Sequence, residues 1–170
     1  MSHDETADIG PPEHLHAGHD LSAFDSGVAA LNDWLKRRAL ANEGSGASRT
    51  YVVSAGGKVI GYHALATGAV TLQTASGRIR RNMPDPIPVM VLGRLAVDKA
   101  YQAKGLGRAL LRDGILRTLQ AAAIGGIRAI LVHAISEEAK RFYERYGFTP
   151  SPFDPMMITV ADAVKALSGK

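Results

Sequence analysis

A mixed α/β domain is what this sequence predicts, and three observations predict it. Segments of strand and helix character alternate in the order β-α-β-β-β-α-β-α-β, the pattern of a sheet layered with helices. Two strand-like runs flank Gly56-Gly57, a pair that favours a tight antiparallel hairpin. A further strand, "VMVLGRLAV", leads through "DKAYQAK" into a glycine stretch and then a helix. At 170 residues the chain is long enough for one full core and short for two, so residues 1–170 are expected to form a single domain, with 1–12 as a loose arm.

The elements follow in order. Up to about Gly18 the chain mixes Pro11, Pro12 and histidines. His14, His16 and His19 lack a His-Glu-x-x-His arrangement, so they are read as a solvated arm and no metal is expected. From Ser26, Val28, Leu31, Leu35 and Ala39 share one helical face, with Asp25 or Ser26 as the cap. "TYVVSA" and "KVIGYHALATGAV" are the hairpin strands. In residues 71–88, Pro84, Pro86 and Pro88 argue against regular structure, and an exposed loop is expected. A helix from about Leu106 to Ala123 precedes the strand "IRAILVHA". Ser136 caps a helix through Tyr146 whose first turn holds Glu137 and Glu138, where acids suit the helix dipole. "MMITVADAVKAL" offers a last strand and a short helix.

Composition narrows the function classes. Apolar residues make up 46% and charged residues 21%, and no apolar run approaches the roughly 20 residues of a membrane span. The start "MSHDETADIG" is acidic and unlike a secretory signal. Without cysteine there is no disulfide framework, thiolate zinc site or cysteine nucleophile, and a bacterial-type cytoplasmic setting is expected. The formal charge of +4 conceals an asymmetry. Residues 1–25 carry six acids and no Lys or Arg, which leaves 20 basic against 10 acidic residues in the rest. Such a body attracts polyanions, although basic residues also serve solubility alone.

The glycine stretch carries the most specific signal. A strand, a glycine turn and a helix amino terminus together form an anion site, because the first helical N–H groups are unpaired and glycine admits a phosphate. A dinucleotide fingerprint requires a small residue where Leu110 stands, and the Gly-Lys-Ser or Gly-Lys-Thr of a P-loop is absent. What remains is Gln102-Ala103-Lys104-Gly105-Leu106-Gly107. It resembles the pyrophosphate motif (Gln or Arg, two residues, Gly, one residue, Gly or Ala) of the GNAT superfamily of N-acetyltransferases. "LAVDKAYQAKGLGRALL" is similar to the family's fourth strand and following helix, and "AKRFYERYGF" to its later helix. The resemblance implies the GNAT fold, a mixed, mostly antiparallel central sheet flanked by helices. It also implies acetyl-CoA as co-substrate, with the pantetheine arm on backbone groups of Leu95, Ala96 and Val97 and the pyrophosphate on Gln102, Ala103, Lys104, Gly105, Leu106, Gly107 and Arg108.

Acyl transfer to an amine leaves a thiolate that benefits from a proton donor. Tyr143 in "FYERYGF" is the expected acid, with packing in the stripe Ala139, Phe142, Tyr143 and Tyr146 as the alternative. His63 and His133 are weaker candidates for a base. "FDSGVAALNDWLKRRALANEGSGASRTYVV" and "PVMVLGRLAVDKAYQAKGLG" resemble the GNAT-type toxins of bacterial toxin-antitoxin modules. That resemblance implies acetylation of aminoacyl-tRNA, a ribbon-helix-helix antitoxin as partner, and room for a homodimer. Ser136 departs from the Asn that many superfamily members carry there. Lys36, Arg37, Arg78, Arg80, Arg81 and Arg94 are the candidate tRNA contacts. Three readings stay open: the toxin, an acetyltransferase for a protein amino terminus or small amine, and a non-catalytic binding module.

Overall fold

The computed structural model describes residues 9–75, 77–150 and 155–168. Its strands are β1 (Glu13–His14), β2 (Arg49–Ala55), β3 (Lys58–Val70), β4 (Ile87–Val97), β5 (Ala129–Val132), β6 (Thr149–Pro150) and β7 (Met156–Thr159). Its helices are α1 (Ala29–Arg37), α2 (Ala39–Ser45), α3 (Gly77–Arg80), α4 (Leu106–Gly125), α5 (Glu137–Arg145) and α6 (Val160–Ser168). The strand order is β1-β2-β3-β4-β5-β7-β6, and the sheet is mostly antiparallel, as expected. β4 and β5 pair in parallel, which requires a crossover, and α4 lies in the connection between them. The chain divides into two compact units, Met1–Leu65 with Arg94–Asp113 and Ala66–Gly93 with Gly114–Lys170.

In the first unit the hairpin forms where Gly56-Gly57 places it, with both glycines at positive φ. Its side chains alternate between two clusters, as strand pleating dictates. Val52, Val59, Tyr62 and Ala64 meet Leu31, Trp34 and Leu35 of α1, together with Phe24 and Leu15. Val53 and Ile60 meet Leu110 of α4, with Leu95, Val97, Tyr101 and Leu106 packed beside them. Leu35 is fully buried, which contributes about 1.5–3 kcal/mol. α1 begins later than expected. Val28 occupies the cap position with no side-chain cap bond and is exposed, while Asp25 and Ser26 structure the loop ahead of it. The arm expected over residues 1–12 is docked from residue 9: Ile9 bridges Ala55, and the Gly10 N–H donates to the Ser54 carbonyl. Residues 1–8 lie outside the described residues.

In the second unit Val89, Ala129, Leu131 and Met157 form a core with Ala75, Ile79 and Ile87. The exposed loop expected over 71–88 is therefore corrected. Leu72–Thr74 is a 3-10 turn, Gly77–Arg80 is a helical turn, and Ile79 is buried because it completes this core. Pro88 lies inside β4, and its carbonyl accepts from the Arg128 N–H. Ser136 caps α5 as expected, its Oγ accepting from the Ala139 N–H at 3.0 Å.

Candidate active site

The glycine turn sits in the first unit at the end of β4. The last registered β4–β5 pair is Leu92 with Val132, and β4 runs on to Val97. The side chains of Leu95 and Val97 pack in one cluster and Ala96 in the other. Asp98 caps the turn Lys99–Tyr101 through an Oδ1 bond from the Ala100 N–H. Ala103 and Gly105 then take φ values of 64° and 84°, in the left-handed region that glycine accepts readily and alanine does not. A Cβ at Gly105 would meet no protein atom within 4 Å. α4 starts at Leu106, and the Ala109 N–H donates to the Gly105 carbonyl, leaving the N–H groups of Leu106, Gly107 and Arg108 ahead of the first intrahelical donor. A helix start with N–H groups ahead of the first intrahelical donor is the kind of backbone arrangement that can receive an anion. Lys104 is exposed, its Nζ 5.4 Å from the Tyr101 ring, and Arg108 is exposed as well.

The Gln102 side chain donates from Nε2 to the carbonyls of Val97 at 2.8 Å and Ser26 at 2.9 Å, so its amide nitrogen is occupied by the protein's own backbone. Gly61 on β3 went unnoticed in sequence. A Cβ there would lie 3.0 Å from Leu110 Cδ1, so the glycine lets α4 pack close on β3 without Leu110 having to shift. A lone glycine inside a strand pattern was the available signal.

Tyr143 lies in the second unit on α5, 7% exposed, between the rings of Phe142 at 5.2 Å and Phe148 at 5.5 Å. Burial pushes its hydroxyl above the ordinary tyrosine range, which favours the protonated form. Among the described residues its hydroxyl has no hydrogen-bond partner. Tyr146 is half-buried against Phe142. His63 is fully buried, with Nε2 2.8 Å from Asp113 Oδ2 and its ring stacked on Tyr51, the surroundings of a structural histidine. His133 is exposed.

Lys36 and Arg37 are exposed on the last turn of α1, where cations suit the helix dipole. Arg94 lies over Trp34 with its guanidinium carbon 4.4 Å from the ring centroid, and Trp34 in turn stacks on Tyr62. Arg80 and Arg81 are exposed in the second unit; the side chain of Arg78 lies outside the described residues. The structure therefore gathers Lys36, Arg37 and Arg94 in one unit and places Arg80 and Arg81 in the other.

Glu13, His16 and His19 bring potential ligand atoms within 4.8 Å of one another, a grouping that sequence spacing alone does not reveal. Nδ1 of His16 accepts from the Gly18 N–H and Nδ1 of His19 from the His16 N–H. Each neutral ring then carries its proton on Nε2, which is a donor rather than a bare ligand nitrogen. His14 and His16 are exposed, while the His19 side chain is only 6% exposed.

Comparisons with known proteins bear on this geometry. Residues 46–150 match the family model described as an acetyltransferase (GNAT) domain. A tRNA-acetylating toxin of Mycobacterium tuberculosis (strain ATCC 25618 / H37Rv) is 49% identical over 160 residues, covering 93% of this chain and 96% of the toxin. The structure of AtaT complexed with acetyl-methionyl-tRNAfMet superposes with a TM-score of 0.85 at 26% identity, covering 95% of this chain and 99% of that one. A tyrosine-to-phenylalanine mutant of the AtaT toxin, bound to the C-terminus of the antitoxin AtaR and acetyl-CoA, gives 0.80 at 25% identity over 96% of this chain and 99% of that one. On the family match and the identity to that relative, this chain belongs to the GNAT acetyltransferases.

Proposed function

We propose that this chain is the toxin of a toxin–antitoxin module, an enzyme that moves the acetyl group of acetyl-CoA to the α-amine of an aminoacyl-tRNA and so stops translation. The observation that carries this reading is the 49% identity to a tRNA-acetylating toxin over nearly the full length of both chains. The anion-ready turn at Gly105 and the basic body support it, one for the coenzyme and the other for a polyanionic acceptor.

In this mechanism the N–H groups at the start of α4 and the backbone of Ala103 to Gly105 hold the pyrophosphate, and the backbone of Leu95 to Val97 holds the pantetheine arm. The neutral amine attacks the thioester carbonyl. The C–N bond forms, the C–S bond breaks, and the departing sulfur takes the hydroxyl proton of Tyr143; the amine's surplus proton passes to solvent, and Tyr143 is then reprotonated. Lys36, Arg37, Arg78, Arg80, Arg81 and Arg94 contact tRNA phosphates.

The family match runs without interruption through segments of both compact units, which supports one catalytic domain. The bound AtaR of the AtaT structure supports an antitoxin as partner, and we assign that partner to the ribbon-helix-helix class. A homodimer is compatible with the same reading. No helix among the described residues is long and apolar enough to cross a membrane, and a tRNA substrate supports a cytoplasmic setting for the activity. The test is incubation of the purified protein with acetyl-CoA and total charged tRNA, identifying the modified amino acid by mass. N-acetylated aminoacyl-tRNA is expected. Acetylation of proteins or small amines with none of tRNA would overturn the substrate assignment.

A further inference from the structure

Two loops far apart in sequence are tied together beside the glycine turn. The Asp25 N–H donates to Asp98 Oδ2 at 3.0 Å, and the Lys99 N–H donates back to the Asp25 carbonyl at 2.8 Å. Asp25 Oδ1 accepts from the Gly27 N–H and from Asn32 Nδ2, while Oδ2 lies 3.1 Å from Lys99 Nζ. Asn32 Oδ1 accepts from the Ser26 N–H and Oγ. Gln102 closes the set with its two bonds to Val97 and Ser26. Gly27 N–H, Asn32 and Lys99 hold the Asp25 carboxyl down at about 2, so it stays ionised in this set across the neutral range.

Ionised Asp25 is unsuited to touch a pyrophosphate, because like charges repel. Asp25 and Asp98 bond instead to backbone N–H groups, to Asn32 and to Lys99. Immediately after them the chain must take left-handed conformations at Ala103 and Gly105, which an untethered loop populates poorly. We propose that Asp25, Asn32, Asp98 and Gln102 form a clasp that positions the glycine turn for the coenzyme's pyrophosphate, with Gln102 as a positioning residue rather than a phosphate ligand. This inference rests on the acetyl-CoA reading above.

The test compares acetyl transfer to charged tRNA from acetyl-CoA and from S-acetylpantetheine, which has the thioester and the pantetheine arm but no pyrophosphate. Gln102→Met keeps the side-chain length and removes the donor; Asp25→Ala opens the clasp from the other end, so one variant suffices if the other does not fold. Each should lower kcat/KM for acetyl-CoA about 3- to 10-fold, the worth of one or two hydrogen bonds, through KM with kcat unchanged. Activity with S-acetylpantetheine should stay at the wild-type level, and the double variant should be no worse than the worse single one. An equal loss with both donors would reduce the clasp to general stability, and no loss with acetyl-CoA would remove it. A wild-type protein that uses neither donor would sink the acetyl-CoA reading, and the clasp with it.

Discussion

Tyr62 and Tyr143 are both buried, and burial pushes both hydroxyls above the ordinary value of 10.0, yet the two hydroxyls are placed for different work. Tyr62 donates to the Leu31 carbonyl at 2.8 Å, holding α1 to the hairpin. Tyr143 has no such partner among the described residues, which is compatible with the acid role proposed for it. Tyr143→Phe should lower turnover about 10²- to 10⁴-fold with acetyl-CoA affinity nearly unchanged, as kinetics and calorimetry would read. Tyr62→Phe should instead cost about 1 kcal/mol in denaturant unfolding and leave turnover intact. The sign of the Tyr143 shift sets its pH dependence. A raised value keeps the acid form present at and above neutrality, so titration of Tyr143 should produce no alkaline fall in kcat below pH 10.0, the ordinary tyrosine value. Its contribution to stability, likewise, is intact below that pH and declines above it. At Gly105 the space above the turn is open but the φ of 84° is not one alanine adopts freely. Gly105→Ala should cost about 1–2 kcal/mol of stability and weaken acetyl-CoA binding by calorimetry, with the folded circular dichroism spectrum retained.

Among the elements, the hairpin, the strand before the glycine turn and the capped tyrosine helix were all legible, because each is set by residues only a few positions apart. Gly56-Gly57 and Ser136 act on their immediate neighbours. Residues 71–88 misled for the opposite reason: prolines signalled irregularity, but Ile79 and Ala75 fold back because an apolar core needs them. The basic surface divides in a testable way. α1 carries Lys36 and Arg37 at its carboxyl end, while Arg80 and Arg81 belong to the other unit. Replacing either pair with alanine should weaken tRNA binding according to how many phosphates that pair neutralises, and each phosphate released should flatten the log-log salt slope by about 0.9 for duplex regions. A pair whose replacement leaves the slope unchanged is surface decoration, and filter binding across a salt series separates the two.

For the molecule as a whole, an acidic amino-terminal stretch precedes a body with 20 basic and 10 acidic residues, and that imbalance suits a tRNA substrate and an acidic partner segment alike. Expression of the chain alone should arrest growth. Tyr143→Phe should abolish the arrest, and an antitoxin co-expressed with the wild type should relieve it, as colony counts would show. The sequence alone was enough for the sheet-and-helix order, the glycine turn, the capped helix around Tyr143 and the family, since backbone conformation and motif spacing are short-range properties. It could not tell that Gln102 reaches Ser26 across 76 positions, that Asp25 meets Asp98 across 73, or that Arg94 lies on Trp34. Hydrogen-bond and stacking partners depend on which loops the folded chain brings together, and local pattern holds no record of that.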